Sequence, residues 1–324
     1  MTVPDAQIAG ALGDVGDDVR VAVWDPREEE APPVDPAEIR LVCLPHYTGG
    51  RTVYERIGAL GGVRVIQIPS AGFEHALPFV PEGVALANAR GVHDTRVAEF
   101  AIGLALASQR LIDRFVRAQD EGRWDPVYFT PSLADRRALV VGYGSIGAAI
   151  GARLRAMEVE VEGVGRSARV APDGTVVHAA SDLPRLLRGA ELVFVVTPHD
   201  ETTDKLVDAA FLAAMPDGAL LVNVGRGKCV DTDALVAECA SGRLRAALDV
   251  TDPEPLPSDH PAWSTPGMII APHVAGATPL TDRRNLDVYR AQIAALREGR
   301  EPYNLVAVGP TEVDGRQTYT WERA

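Results

Sequence analysis

Short apolar runs separated by polar turns recur along this chain from its first quarter to about position 275. VRVAVW (Val19–Trp24), IRLVCL (Ile39–Leu44), VRVIQI (Val63–Ile68) and GVALANA (Gly83–Ala89) have the length and content of buried strands. Between two of them, TVYERIGALGG has helical spacing and stops at paired glycines. RVAEFAIGLALASQRLIDRFVRAQDEG (Arg96–Gly122) reads as one long helix, apolar over much of its circumference and therefore buried on more than one side. RWDPVYFTPSLADRR follows as an irregular, Pro-punctuated loop. From Ala138 the pattern sharpens into six strands, several separated by helical stretches: ALVV, VEVEGVG, ELVFVVTP, GALLVNVG, AALDV and MIIAPHV. LTDRRNLDVYRAQIAALREG gives a last helix, and Val306–Ala324 a polar tail.

Strands alternating with helices predict parallel sheets and right-handed crossovers. A chain of 324 residues exceeds one ordinary core. The predicted architecture is α/β: two Rossmann-like, doubly wound parallel-sheet domains. The first, flavodoxin-like and discontinuous, covers 1–96 and 282–324; the second covers 97–281.

The net charge of −13 repels phosphate backbones and anionic lipid, which argues against nucleic acid and membrane as partners. It also means that an anionic ligand must meet locally concentrated cations. Three scattered cysteines, Cys43, Cys229 and Cys239, have neither metal-ligand nor paired spacing, so no metal site and no disulfide framework is expected. The acidic N-terminus lacks the charge and apolar run of a signal peptide, and no stretch approaches the ~20 apolar residues of a membrane span. A soluble cytoplasmic protein is predicted.

GYGSIG sets Gly142, Gly144 and Gly147 between a strand and an Ala-rich helix. In that context the first glycine makes a tight turn, the second admits a pyrophosphate, and the third lets the helix close on the sheet. The N–H groups of Ser145 and Ile146 then lie at a helix N-terminus, where the dipole favours an anion. At the end of the next strand, where an NAD enzyme has an acidic residue for the adenosine ribose, this chain has Gly165, then Arg166, Ser167 and Arg169. With no carboxylate and two guanidiniums, the position suits the 2′-phosphate of NADP(H), with NAD(H) still possible.

NVGRG puts Arg226 just past a strand, ALDVTDPEP puts Asp249 at a strand end and Glu254 in the following loop, and APHVAGAT puts His273 at the end of the last strand. C-terminal strand ends form the ligand crevice of doubly wound sheets, so these residues should converge. With VAEFAIG, VTPHDETT, LVNVGRGKCVD and LDVTDPEPLP, they make the chain resemble the D-isomer-specific 2-hydroxyacid dehydrogenases, which include glyoxylate/hydroxypyruvate reductases and D-3-phosphoglycerate dehydrogenases. The resemblance runs from about Leu41 to Val306.

It implies reduction of a small 2-keto acid to a D-2-hydroxy acid. The chemistry independently asks for the same residues. Arg226 can grip the carboxylate and polarise the carbonyl. His273 can deliver the proton, because imidazole titrates near neutrality, and Glu254 can hold it by hydrogen bond and favour its protonated form. Formate dehydrogenases of the superfamily carry Gln where this chain has Glu254, so the intact acid argues for proton-coupled hydride transfer. By the resemblance, Asp249 bonds the nicotinamide carboxamide, and Thr197, Pro198, Val224, Gly225, Ala275 and Gly276 join the cofactor site. It also makes the turn Ser70-Ala71-Gly72 a backbone nest for the substrate carboxylate, with the first domain binding substrate and the second the cofactor.

Asn88 and His93–Thr95 are expected to face the same cleft between the domains, His93 as a mouth-lining or solvated side chain. His46 and Tyr47 lie where phosphoglycerate dehydrogenases have a basic residue, which makes serine biosynthesis a poorer fit than a smaller keto acid. The helix from Val97 and the loop after it predict a homodimer, with Tyr128 or Phe129 in the stretch that in some hydroxypyruvate reductases reaches the partner's pocket. Two other classes share the pattern: a nicotinamide-sensing, non-catalytic relative, and a dehydrogenase of a phosphonate or inorganic anion.

Overall fold

The computed structural model describes residues 1–309 apart from Tyr47, Gly49 and Tyr128, together with the backbone of Thr311–Val313 and Arg316–Thr318. The chain forms two compact units, Met1–His93 with Thr278–Ala324, and Asp94–Ala277.

In the first unit, β1 (Thr2–Val3), β2 (Ala22–Val23), β3 (Leu41–Cys43), β4 (Val65–Gln67) and β5 (Ala85–Ala87) run parallel. Beyond them β14 (Leu305–Val308) pairs antiparallel with β5, in the order β14-β5-β4-β3-β1-β2. Helices α1 (Ala6–Leu12) and α2 (Arg51–Gly58) connect strands, and α9 (Arg283–Arg297) returns late in the chain to pack on α1 and β3. Leu286, Tyr289 and Ile293 of α9 share one core with Val3, Ile8, Leu41 and Cys43. One pair of elements here was not predicted, and one expectation is corrected. The N-terminal residues form β1 and α1, with Asp5 capping α1 through the Ile8 amide. The stretch from Leu305 is not simply a polar tail, since Val308 is buried in the sheet edge.

The second unit begins with α3 (Asp94–Gln109) and α4 (Ile112–Asp120), which replace the predicted single helix. The break falls at Leu111, whose φ of +56° no α-helix accommodates. α3 is buried as expected, against α5 (Ser145–Ala156) and the sheet, whereas α4 leaves Ile112, Phe115 and Val116 exposed. The sheet comprises β6 (Arg137–Val141), β7 (Glu160–Gly165), β8 (Arg169–Val170), β9 (Val176–Ala179), β10 (Leu192–Val195), β11 (Leu220–Asn223), β12 (Arg245–Leu248) and β13 (Met268–Ile270).

The order is β13-β12-β11-β10-β6-β7-β9-β8, all parallel except β8, so the eight strands exceed the six predicted by one edge hairpin, β8–β9. Short helices α6 (Leu183–Leu186), α7 (Ala209–Ala214) and α8 (Thr232–Ala240) complete the layers. Both faces are covered. Along β10, Leu192 and Phe194 enter one core while Val193 and Val195 enter the other. That is why these strands read as continuous apolar runs rather than as alternation. The chain leaves β6 towards β7 on one side and β10 lies on the other, which makes the C-terminal ends of β6 and β10 the switch point where doubly wound sheets bind ligands. No helix among the described residues is long and apolar enough to cross a membrane.

Candidate active site

β6 turns through Gly142-Tyr143-Gly144 into α5. Gly142 has φ +100°, and a Cβ on it would stand 2.8 Å from the Val196 carbonyl oxygen; one on Gly147 would stand 2.6 Å from the Gly142 carbonyl oxygen. Backbone cannot give way cheaply, so both positions exclude a side chain. Gly144 differs, because a Cβ there meets nothing within 4 Å. Its bareness leaves room for a group outside the protein's own packing. α5 has no side-chain cap, and the amides of Ser145, Ile146 and Gly147 have no acceptor within the helix. Open space, free amides and the helix dipole fit the pyrophosphate of a nicotinamide dinucleotide.

The chain leaving β10 runs between two glycines. A Cβ on Gly225 would lie 2.7 Å from the Thr197 carbonyl oxygen, as Gly142 abuts Val196 on the other side. Thr197 and Val224 are buried and Pro198 is exposed; Thr197 donates from Oγ1 to Cys229 Sγ at 3.5 Å.

At the end of β7, Arg166 and Ser167 are exposed, and Arg166 makes no hydrogen bond or ion pair among the described residues. Arg169 does not present the second free guanidinium that the sequence suggested. It folds back from β8, and its Nη2 donates to the Tyr143 carbonyl at 2.5 Å. Behind the loop lies a cluster that the sequence reading missed. The Tyr143 hydroxyl donates to Asp173 Oδ2 at 2.9 Å and lies 2.9 Å from Thr175 Oγ1. Arg155 of α5 donates to Asp173 at 2.7 Å and to Thr175 at 2.8 Å. Desolvation pushes the Asp173 carboxyl up, but the Thr175 amide, the Tyr143 and Thr175 hydroxyls and Arg155 outweigh it and hold the group down at about 2.

The catalytic candidates leave three adjacent strands in register, with Asn223 of β11 opposite Leu248 of β12 and Leu248 opposite Ile270 of β13. Arg226 is half-buried, and its Nη1 donates to the Gly225 carbonyl at 2.8 Å. Buried Asn223 braces this loop, donating from Nδ2 to the Arg226 carbonyl and accepting from the Gly225 amide, both at 3.0 Å. Gly227 is sterically required, because a Cβ would fall 1.8 Å from the Thr251 carbonyl oxygen.

His273 has φ +55°, a left-handed backbone that histidine tolerates better than most residues. Its amide donates to the Asp249 carbonyl at 2.8 Å, and the Asp249 carboxylate accepts from Val274 at 2.8 Å and Ala275 at 3.0 Å. Asp249 is only 2% exposed. Each oxygen thus has one backbone partner already and one remaining lone pair for any further donor. His273 Nδ1 lies 2.6 Å from Glu254 Oε1, with the side chains 49% and 42% exposed. The carboxylate can only accept, so Nδ1 carries the hydrogen and Nε2 is left for a ligand.

In the first unit, the Ser70 hydroxyl donates to the Gly72 carbonyl at 2.7 Å, and Asn88 Nδ2 to the Ala71 carbonyl at 2.6 Å. Asn88 therefore braces the candidate nest. His93 is neither solvated nor mouth-lining. It is buried, with Nε2 donating to the Pro69 carbonyl at 2.7 Å and Nδ1 lying 3.2 Å from Thr278 Oγ1. His46 Nε2 donates to the Thr278 carbonyl at 2.8 Å. Tyr47 and Tyr128 lie outside the described residues; Phe129 is 90% exposed. A cavity of about 440 Å³ opens along α3, lined by Arg96, Glu99, Phe100 and Val274, and contains none of the three catalytic candidates. Among the described residues no cluster of His, Cys, Asp or Glu could hold a metal ion.

Residues 102–275 match the family model described as D-isomer specific 2-hydroxyacid dehydrogenase, NAD binding domain. A glyoxylate reductase of Thermofilum pendens is 32% identical over 294 residues, covering 87% of this chain and 85% of the relative. The glyoxylate reductase/hydroxypyruvate reductase of Homo sapiens is 28% identical, covering 89% and 91%. A D-isomer specific 2-hydroxyacid dehydrogenase from Xanthobacter autotrophicus Py2, solved in complex with NADPH and MES, superposes with a TM-score of 0.79 at 28% identity, covering 94% of this chain and 95% of that one.

The charged cluster behind the loop has a pH signature. Asp173 is held at about 2 against an ordinary 3.8, so its contribution to stability is complete above about pH 4 and is lost as pH falls through about 2. Urea unfolding of wild type and Asp173→Asn should therefore show a constant gap above about pH 4 that closes towards pH 2. A gap that stays unchanged down to pH 2 would show that the cluster does not depend on the ionised carboxylate.

Proposed function

The chain belongs to the D-isomer-specific 2-hydroxyacid dehydrogenase family, and we propose that it reduces a small 2-keto acid to the corresponding D-2-hydroxy acid with NADPH. The observation that carries this reading is the 2.6 Å Glu254–His273 pair at the exit of β13, in register with the exit of β11 that bears Arg226. Residues 94–277 take the cofactor; 1–93 with 278–324 take the substrate, through the turn Ser70–Gly72. A reduced nicotinamide bound there supplies the hydride. Arg226 binds the substrate carboxylate and polarises its carbonyl, and charge developing on the carbonyl oxygen meets a fixed cation rather than reorganising water. His273 delivers the proton from Nε2, while Glu254 at Nδ1 fixes the ring's tautomer and orientation.

Keto-acid reduction followed by NADPH consumption tests the assignment, with glyoxylate and hydroxypyruvate first in the panel. His273→Ala should lower turnover about 10²–10⁴-fold, the usual worth of a positioned general acid. Glu254→Gln should lower it less, because Gln keeps the shape and loses the obligatory acceptor. Activity unchanged in His273→Ala would end this reading.

Gly165 in place of a carboxylate, and an Arg166 that is exposed and without a partner among the described residues, support preference for NADPH. Arg166→Ala should weaken NADPH by about 1–3 kcal/mol, one charge-assisted bond, and leave NADH nearly untouched. Equal losses would mean that Arg166 does not read the phosphate.

Buried free thiols at Cys43, Cys229 and Cys239 support a cytoplasmic setting. Exposed Ile112, Phe115 and Val116 on α4, with Trp124 and Phe129 in the following loop, support a homodimer through this region; α3 itself is largely consumed within its own unit. Light scattering at micromolar concentration should give twice the 34.5 kDa chain mass; a monomer rejects the assembly.

A further inference from the structure

The cofactor reading leaves unexplained why a polar cluster stands behind the glycine loop and why an edge hairpin is appended there. β8 and β9 share only two residue pairs, Arg169 with Val177 and Val170 with Val176, and Val170 and Val176 are exposed. So short a ladder does not by itself hold β8 in place in water. β9 is held by its parallel pairing with β7 and by buried Val177, and the residue after β8, Ala171, is buried in the same core, so what the turn adds is a polar tie on β8 and the loop before it. Thr175 donates its amide to Asp173 Oδ1 at 3.1 Å, and Asp173 receives Tyr143 from the glycine loop and Arg155 from α5.

Tyr143 is built into the fold for this contact. Its ring fills space cleared by two glycines, since a Cβ on Gly151 of α5 would stand 2.5 Å from its hydroxyl and one on Gly163 of β7 2.7 Å from its ring. At the near end of the hairpin, Arg169 reaches back to the Tyr143 carbonyl and covers Gly165, where a Cβ would stand 2.7 Å from its Nη1. The place where an acidic side chain would meet the ribose is thus taken by a guanidinium.

We propose that Tyr143, Asp173 and Arg155 form a clasp that fixes the β8–β9 hairpin on the glycine loop, so that Arg169 occupies the acidic position above Gly165 and Arg166 is presented to the cofactor's 2′-phosphate. The three are positioning residues, acting through Arg169 and Arg166. The proposal rests on the cofactor reading above. Held down at about 2, the Asp173 carboxyl is ionised at neutral pH and accepts from both Tyr143 and Arg155.

Calorimetric binding of 2′,5′-ADP and 5′-AMP separates the phosphate's contribution from catalysis. Four proteins are compared: wild type, Arg166→Ala, Tyr143→Phe and Asp173→Asn. Amide hydrogen exchange over residues 166–176 is measured on each without ligand. Wild type should bind 2′,5′-ADP at least about 10-fold more tightly than 5′-AMP, and Arg166→Ala should lose most of that ratio. Tyr143→Phe and Asp173→Asn should each lower the ratio about 3–10-fold while 5′-AMP changes less than about twofold, with faster exchange in the hairpin. A clasp variant that weakens both ligands equally, or keeps the wild-type ratio, overturns the clasp and leaves the cofactor reading standing. If wild type itself shows no preference for 2′,5′-ADP, the cofactor reading falls and the clasp with it.

Discussion

The second unit depends on contact between bare backbones at the C-terminal edge of its sheet. The chain leaving β10 passes between Gly142 and Gly225 at distances that no Cβ survives, and Gly227 abuts the Thr251 carbonyl still more closely. With no side chains between them, the strand exits cannot slide or splay independently, and interiors packed at this density transmit displacement rather than absorb it. The glycine loop, the Arg226 loop and the turn carrying Asp249 are thus placed by the same set of contacts. Functional geometry needs tolerances of about 0.5 Å, and sites carried on rigid elements meet them better than sites on free loops.

His273 illustrates how the support reaches a side chain. Its left-handed backbone is held on one side by the Asp249 carbonyl and followed by two amides bound to the Asp249 carboxylate. Residues in sparsely populated conformations persist where the surroundings over-determine them. Asn223 does the equivalent work for Arg226. The loops that carry Arg226 and His273 are thus each held by hydrogen bonds from a buried polar side chain at a strand end, Asn223 for one and Asp249 for the other.

Much of this was legible in the residues. Two-sided burial made β10 and β11 read as apolar runs, and the strand-then-glycine pattern located the turn after β6. Arg226, Glu254 and His273 stood out because all three occur together after strands, in the order and motifs of the family that the chain resembles. Other elements were hidden for physical reasons. β1 is two residues long, too short for any period to register. The break between α3 and α4 has neither Gly nor Pro to announce it, only Leu111 in a left-handed conformation. The β8–β9 hairpin did carry a signal, the Ala-Pro-Asp-Gly-Thr run at 171–175, which is turn chemistry with a mechanism. His93 could not have been read correctly, because its partners, Pro69 and Thr278, are distant in sequence and a buried histidine looks like any other until they are known.

The late arrival of α9 and β14 bears on how the protein is made. Leu286, Tyr289 and Ile293 complete the core around β1 and β3, and β14 covers the open edge of β5. During synthesis these pieces emerge after all of residues 94–277. The second unit, contiguous in sequence, can close as soon as it leaves the ribosome, while the first waits with an apolar face and a strand edge uncovered. Birth order and completion order are thus inverted. The half of the molecule translated first is the half exposed longest to misassembly, and its short strands and charged connections limit the edge available for wrong pairing during that interval.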